Sequence, residues 1–327
     1  MKYRKLGKTN FEVSEISIGT WQLGGGWGVA FNEKTAESIL DAAAAQGINF
    51  VDTADVYNDG QSEIQIGKLL KKHGFRIYVA SKAGRGLNPH TAAGYTPANV
   101  QGFIENSLRR LKLDCLDLIQ LHCPPTEVYY EPELFFALER MKEKGLIRHY
   151  GVSVKKVEEA LKAMDYPGLA TVQIIFNMFR QRPAENFFKK AAEKNVGIIV
   201  RLPLASGLLT GNYKIDTVFN PNDHRFNNRE GQISEKGETF SGVNYELGLK
   251  AVDELKALFP KRGLAEAALK FILMHNEVSC VIPGASRASQ IESNAKVSDA
   301  AELSEAEMKA VRDIYDKYIR NPVHYLW

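Results

Sequence analysis

The sequence predicts an α/β protein, a (β/α)8 TIM barrel preceded by a β-hairpin and followed by an extra C-terminal helix. Three observations carry that expectation. Short β-branched or apolar runs alternate with longer amphipathic stretches over nearly the whole length, which is the rhythm of parallel βα units. Eight such runs can be counted, the number that closes a barrel. No Pro/Gly/Ser linker divides the chain, so residues 1–327 are expected to form one domain.

A short polar hairpin is expected over 3–13. The predicted strands are 16–19, 49–52, 77–81, 116–121, 149–152, 171–174, 197–200 and 280–283. Helices are predicted over 33–46, 62–72, 97–111, 132–144, 155–164, 183–194, 264–275 and 288–295. Pro97 and Pro183 stand where a first helical turn tolerates proline, with Thr96 as an N-cap before the former. Gly47, Gly74 and Gly145 follow helices, where a left-handed C-cap costs glycine little. The interval 213–242, rich in Asn, Asp, Gly and charge, breaks the rhythm and reads as a long loop. Beyond the barrel, 304–319 reads as a capped amphipathic helix and 321–327 as a tail ending in aromatics.

Composition narrows the function classes. Forty-two basic residues are interspersed with 39 acidic ones for a net charge of +3, so no basic face argues for nucleic acid or an anionic membrane. No apolar run approaches the roughly 20 residues that cross a bilayer, and the N-terminal stretch lacks the apolar core of a signal peptide. A cytoplasmic protein acting on a small molecule is expected. Cys115, Cys123 and Cys280 are far apart and odd in number, which fits reduced thiols, and no metal site is expected.

In a closed parallel barrel, chemistry sits at the C-terminal ends of the strands and in the loops that follow. Asp52 ends the second predicted strand, Lys82 follows the third and His122 follows the fourth, so one mouth receives all three; Tyr57 lies in the loop after Asp52. Singly, each has a structural explanation: a helix cap, a surface lysine, a core histidine, a loop aromatic. Together they make an acid set. Reducing a carbonyl needs a proton donor, and a phenol near pKa 10 is a poor one unless its anion is stabilised. Lys82 beside Tyr57 would do that, Asp52 would hold Lys82, and His122 would orient the carbonyl oxygen.

Asp52, Tyr57, Lys82 and His122, in this order and context, resemble the tetrad of the aldo-keto reductases. The resemblance runs from RKLGKTNFEVSEISIGTWQLGG through DTADVY, LDLIQLH and RHYGVS to VIPGASRASQIESN, and is nearer to bacterial reductases and potassium-channel β subunits than to aldose reductases. It implies reduction of an aldehyde or ketone by hydride transfer, with Tyr57 as general acid. It also implies a cofactor site. Gly19, Thr20 and Trp21 would approach the nicotinamide, with Trp21, Tyr57 and His122 touching substrate, while Ser153 and Gln173 would bind the carboxamide. The segment Arg201, Leu202, Pro203, Leu204, Ser206 and Gly207 would back the nicotinamide and pyrophosphate. Gly284 and Ser286 precede a helix N-terminus suited to phosphate. Arg287 suits a 2′-phosphate, favouring NADPH over NADH. Gln290 and Asn294 would meet the adenine.

Three positions depart from the family pattern. Val154 stands where many relatives carry an asparagine, Arg201 where an aromatic commonly stacks on the nicotinamide, and Asn212 where the channel-subunit branch has a lysine; Arg225 is a candidate to replace that charge. The alternative function is a cofactor-sensing regulatory subunit with little turnover, although no extended segment is seen before the barrel. A metal-dependent hydrolase on the same fold is disfavoured, because the first strand ends in Gly-Thr-Trp without a histidine pair. Specificity is expected in the loops 24–31, 84–95 and 124–131 and in the tail 324–327, whose aromatics include Trp27, Tyr129 and Trp327.

Overall fold

The computed structural model describes every residue except Trp27, so the expectation for that side chain lies outside the described residues. The hairpin pairs β1 (Tyr3–Lys5) with β2 (Glu12–Ser14). The barrel then follows as β3 (Ile18–Gly19), α1 (Glu33–Ala45), β4 (Phe50–Asp52), α2 (Gln61–Lys72), β5 (Tyr78–Ala83), α3 (Pro97–Leu111), β6 (Leu116–His122) and α4 (Pro132–Glu143). It continues through β7 (Ile147–Ser153), α5 (Val157–Ala163), β8 (Leu169–Ile175), α6 (Phe187–Glu193), β9 (Gly197–Arg201), α7 (His224–Asn227), α8 (Tyr245–Leu258), α9 (Leu264–Leu273), β10 (Val278–Val281) and α10 (Ala288–Lys296). The chain ends in α11 (Glu305–Tyr318) and α12 (Arg320–Val323).

Strands β3 to β10 lie side by side in chain order, all parallel, and parallel bridges from Ile16 to Val281 and from Gly19 to Gly284 close the ring. At that seam a Cβ on Gly19 would stand 2.8 Å from the Ile282 carbonyl oxygen, so only glycine lets the strands meet. The interior holds one buried cluster of Phe50, Ala80, Leu118, Ile199, Cys280 and Ile282, alternate inward residues of their strands. The hairpin seals its N-terminal end: Leu6 and Val13 join the cluster, and Phe11 stacks on Tyr78 with ring centroids 4.3 Å apart. A larger apolar layer packs the helices onto the outside of the strands.

Local chemistry explains most boundaries and corrects some. Asn32 caps α1 by accepting from Thr35 N, Thr96 caps α3 by accepting from Asn99 N, and Ser304 with Glu307 forms a capping box on α11. Gly47 and Gly145 adopt positive φ as expected. Gly74 does not, because the chain leaves α2 through an extended His73. Pro183 sits in a separate 3-10 turn, Arg182–Ala184, and α6 starts only at Phe187. The interval 213–242 is largely irregular as expected, but α8 after it has no counterpart in the predicted helices. Its cap, Asn244 accepting from Leu247 N, ends the loop directly after Gly242 and Val243.

Between β7 and β8 the register shifts at Gly151, where a Cβ would run into Thr171 Oγ1 and stand 2.6 Å from the Thr171 carbonyl oxygen. Gly151→Ala is therefore expected to destabilise the barrel by about 3 kcal/mol, the upper end for overpacking, as measured by denaturant unfolding. A midpoint equal to that of the unmodified chain would show that the strands separate freely.

Candidate active site

The strand register brings the predicted site residues to one end of the barrel. Asp52, His122, Ser153 and Arg201 each end a strand, and Lys82 lies one residue from the end of β5. Partners across the sheet place His122 beside Ser153 and Ser153 beside Gln173. Tyr57 starts a 3-10 turn, Tyr57–Gly60, that leads straight into α2 and turns the phenol over the mouth.

At the centre is the Lys82 ammonium. It donates to Asp52 Oδ2 at 2.6 Å, to the Thr53 carbonyl at 2.8 Å and to the Tyr57 hydroxyl at 3.2 Å, which uses all three of its protons. The other Asp52 oxygen accepts from Gln120 Nε2 at 3.0 Å and Gln173 Nε2 at 2.7 Å. Ser153 in turn donates to Gln173 Oε1 at 3.2 Å. Lys82 and Asp52 are almost wholly buried, with 1% and 3% of their side-chain surface exposed. Burial works against the lysine's charge, but the Asp52 carboxylate and Tyr57 outweigh it and raise its pKa, so Lys82 stays cationic.

Tyr57 departs from the expectation in one respect. Lys82 pulls its pKa down, yet burial is the larger effect and Asp52 adds to it, so the phenol is raised above 10. It is held as the protonated form. His122 lies edge-on to it, ring centroids 5.9 Å apart, and burial with the nearby cations Lys82, Arg85 and Arg201 holds that imidazole well below 6.5. His122 is therefore neutral at pH 7, and its Nδ1 is buried without a partner among the described residues.

The cofactor residues of the sequence reading fall into two groups. Ser153, Gln173 and Arg201 join the tetrad at the mouth, but the Gln173 amide is turned inward to Asp52 and Ser153 is spent on Gln173. Thr20 is also committed, giving both its amide and its hydroxyl to the Asp52 carbonyl at 3.0 Å each. Trp21 lies at the rim, its ring edge-on to His224 of α7 at 5.6 Å. Leu202, Pro203, Leu204, Ser206 and Gly207 lead away from β9, with positive φ at Leu202, Ser206 and Gly207. The second group lies at the start of α10. Gly284 and Ser286 are exposed there, Gln290 folds back to accept from Ser286 N at 2.8 Å, and Asn294 lies one turn further along, half-buried. Arg287 is exposed and, among the described residues, its side chain bonds only Ser289, through Nε at 3.1 Å. Arg225 is tied to the Asp223 carboxylate and to Tyr213 OH at 2.5 Å, so its charge is already offset.

Two buried polar residues join the site beyond those the sequence singles out. Gln120 holds Asp52, and its signal in the sequence is a polar side chain two residues before His122 in an apolar strand, sharing its inward face. Arg180 is buried beneath the Trp327 ring at 4.2 Å, and Trp327 donates to Glu235 Oε1 at 2.6 Å. Cys123 is buried, with Sγ 3.5 Å from Ser153 Oγ and 3.6 Å from Arg201 Nη2. Among the described residues no cluster of His, Cys, Asp or Glu has the makings of a metal site, and no helix is long and apolar enough to cross a membrane.

Residues 15–316 match the aldo/keto reductase family. The chain belongs to that family. It is 30% identical to a probable voltage-gated potassium channel subunit beta of Arabidopsis thaliana, over 93% of each chain. It is 28% identical to the aldo-keto reductase yakc [NADP(+)] of Schizosaccharomyces pombe, covering 96% of this chain and 91% of that one. Among solved structures, the glycerol dehydrogenase AKR11B4 of Gluconobacter oxydans superposes with a TM-score of 0.79 at 27% identity, covering 100% of this chain and 98% of that one. The barrel is thus the fold of the family, and the chain is an oxidoreductase.

Asp55, two residues before Tyr57, is raised to about 6, first by burial and then by the neighbouring Glu63 carboxylate. Its protonated form is the one the fold prefers. That contribution is whole below the ordinary value of 3.8 and is lost as pH rises through about 6. Asp55→Asn should therefore stabilise the protein at pH 8 by roughly 2–3 kcal/mol and change little at pH 4. Denaturant midpoints at the two pH values test this; equal shifts at both would show that ionisation is not the cause.

Proposed function

We propose that this chain reduces an aldehyde or ketone to the alcohol with NADPH, Tyr57 acting as general acid. The observation that carries the reading is the Tyr57 hydroxyl held 3.2 Å from a buried Lys82 ammonium whose other two protons are already committed.

The residues present fit the cofactor. A Cβ on Gly284 would meet nothing nearer than 3.6 Å, which leaves a shallow open place beside Gly19. Helix α10 begins with no side-chain cap and no acidic residue in its first turn, so its N-terminal amides favour an anion, and the Arg287 guanidinium beside them suits a 2′-phosphate. The yeast relative is named for NADP+. When bound, the reduced nicotinamide supplies the hydride.

The protein's own groups do the remainder. His122, neutral, hydrogen-bonds the carbonyl oxygen and orients it toward Tyr57. As charge develops on that oxygen, Tyr57 gives up its proton, and Lys82 stabilises the phenolate left behind through the contact already in place. Asp52 keeps Lys82 charged and fixed, and Gln120 and Gln173 hold Asp52.

Tyr57→Phe is expected to lower kcat by about 10²- to 10⁴-fold while leaving the NADPH dissociation constant within about twofold, since the phosphate-binding features lie at α10. Steady-state assays with a panel of aldehydes, paired with NADPH titration, measure both. Normal turnover by the variant would remove Tyr57 from the acid role. The channel-subunit relative gives one specific ground for a regulatory reading, which tight NADPH binding without turnover on any carbonyl would favour.

Replacing Arg287 with Ala should weaken NADPH binding by about 10-fold or more, the worth of a charge-assisted contact, and leave NADH nearly unaffected. Equal losses for both cofactors would dismiss a 2′-phosphate role.

A further inference from the structure

Tyr57 reaches Lys82 from a turn that does not hold its own shape. Asn58, Asp59 and Gly60 follow one another in left-handed backbone, with φ of 49°, 52° and 82°, a region unfavourable to residues with a Cβ. The turn needs support from outside, and α2, into which it runs directly, supplies it. Ser62 and Glu63 in the first turn of that helix are both wholly buried. Ser62 Oγ lies 2.9 Å from Thr53 Oγ1, on the residue whose carbonyl accepts from Lys82, and donates to Thr20 Oγ1 at 2.8 Å.

Glu63 makes a second connection. One of its oxygens accepts from Ser81, the residue before Lys82 on β5, and the other accepts from Arg110 Nη1 at 2.9 Å. Arg110, in the last turn of α3, is brought there by backbone packing: a Cβ on Gly67 would stand 2.9 Å from its carbonyl oxygen, so α2 and α3 touch at that point. From there its side chain runs back along α2, past Glu63, until Nε lies 2.6 Å from the place a Cβ on Gly60 would take. Gly60, Glu63 and Gly67 are spaced three and four residues apart, so one stripe of α2 receives the arginine. The guanidinium thus closes on the last residue of the Tyr57 turn, and through Glu63 and Ser81 it is joined to the strand that carries Lys82. An ion pair serving only to join two helices needs neither the bare Gly60 nor the tie to β5.

Resting on the acid role of Tyr57 argued above, we propose that Glu63 and Arg110 are positioning residues for the reaction. They hold the Tyr57 turn against β5 and so set the distance from the phenol to Lys82 and to the bound carbonyl. Both act from helices outside the ring of strands, through the turn and not through the reacting atoms.

The test measures kcat, the solvent deuterium isotope effect on kcat and the NADPH dissociation constant for Arg110→Met, Arg110→Lys and Glu63→Gln. The substrate is the aldehyde that the unmodified chain reduces fastest. A misplaced donor slows its own proton transfer, so Arg110→Met should lower kcat about 10- to 100-fold, the order expected for a displacement of about 1 Å, and enlarge the isotope effect. NADPH binding should not change. Arg110→Lys, which keeps a cation beside Glu63, should recover part of the rate, and Glu63→Gln, which keeps the side chain's size, should lose rate with the same enlarged isotope effect. Should Arg110→Met fail to fold, the two milder variants carry the comparison with the same signs. An unchanged kcat in the folded variants, or a lower kcat with the isotope effect of the unmodified chain, makes the pair a plain contact between helices; either overturns the proposal and leaves the reductase reading standing. Absence of turnover by the unmodified chain on every carbonyl overturns both.

Discussion

A buried lysine with every proton accounted for is the constraint around which this barrel is arranged. Taking an ammonium and a carboxylate out of water costs several kcal/mol each unless their hydrogen bonds are replaced. Here the replacement is complete: Lys82 has three acceptors, and Asp52 receives Lys82 on one oxygen and two glutamine amides on the other. The donors and acceptors come from β4, β5, β6 and β8, which only a closed ring brings within reach of one another. Removing either charge would strand the other in the interior. The buried pair thus ties four strands together.

The acidity of Tyr57 follows from that arrangement in a way the residue types alone do not reveal. A nearby ammonium lowers a phenol's pKa, and Lys82 does act in that direction. Burial removes water from the phenolate and acts the other way, more strongly, and the Asp52 charge opposes the anion as well. The consequence is a phenol that stays protonated at neutral pH. In the acid role proposed for Tyr57, Lys82 matters chiefly after the proton has gone, when the anion it faces is new.

What was legible in the sequence was what depends on period and position. Asp52, Lys82 and His122 stand at strand ends, so counting strands was enough to bring them to one mouth. Asn32, Thr96 and Ser304 act within a turn of their own positions, and Thr96 could be read directly as a cap. Gln120 could not be read so, because its role exists only through Asp52, 68 residues away. Nor could α8, hidden by the irregular stretch before it, or the retreat of α6 to Phe187, since a proline marks a first turn without saying whether that turn belongs to the helix. That residues 202–207 leave the end of a strand was legible. The inward turn of Gln173 and Ser153 was not, because which partner a buried amide takes depends on the whole network.

The rim shows how distant parts of the chain meet at one function. Trp327 lies at the end of the chain, yet it covers Arg180 and holds Glu235. Gly237 and Gly242 line its seat, where a Cβ would press on the indole, so the loop that follows Glu235 can pass beneath it only without side chains at those two points. That loop also carries Glu238, whose carbonyl accepts from Ser206 Oγ and whose carboxylate faces Arg201. Phe240 N donates to the same serine hydroxyl. The tail therefore positions, through a single loop, both the segment leaving β9 and the carboxylate opposite the mouth cation. A mobile tail would loosen Glu238, the carboxylate paired with Arg201. Charge at the mouth and order at the terminus are, in this fold, one variable.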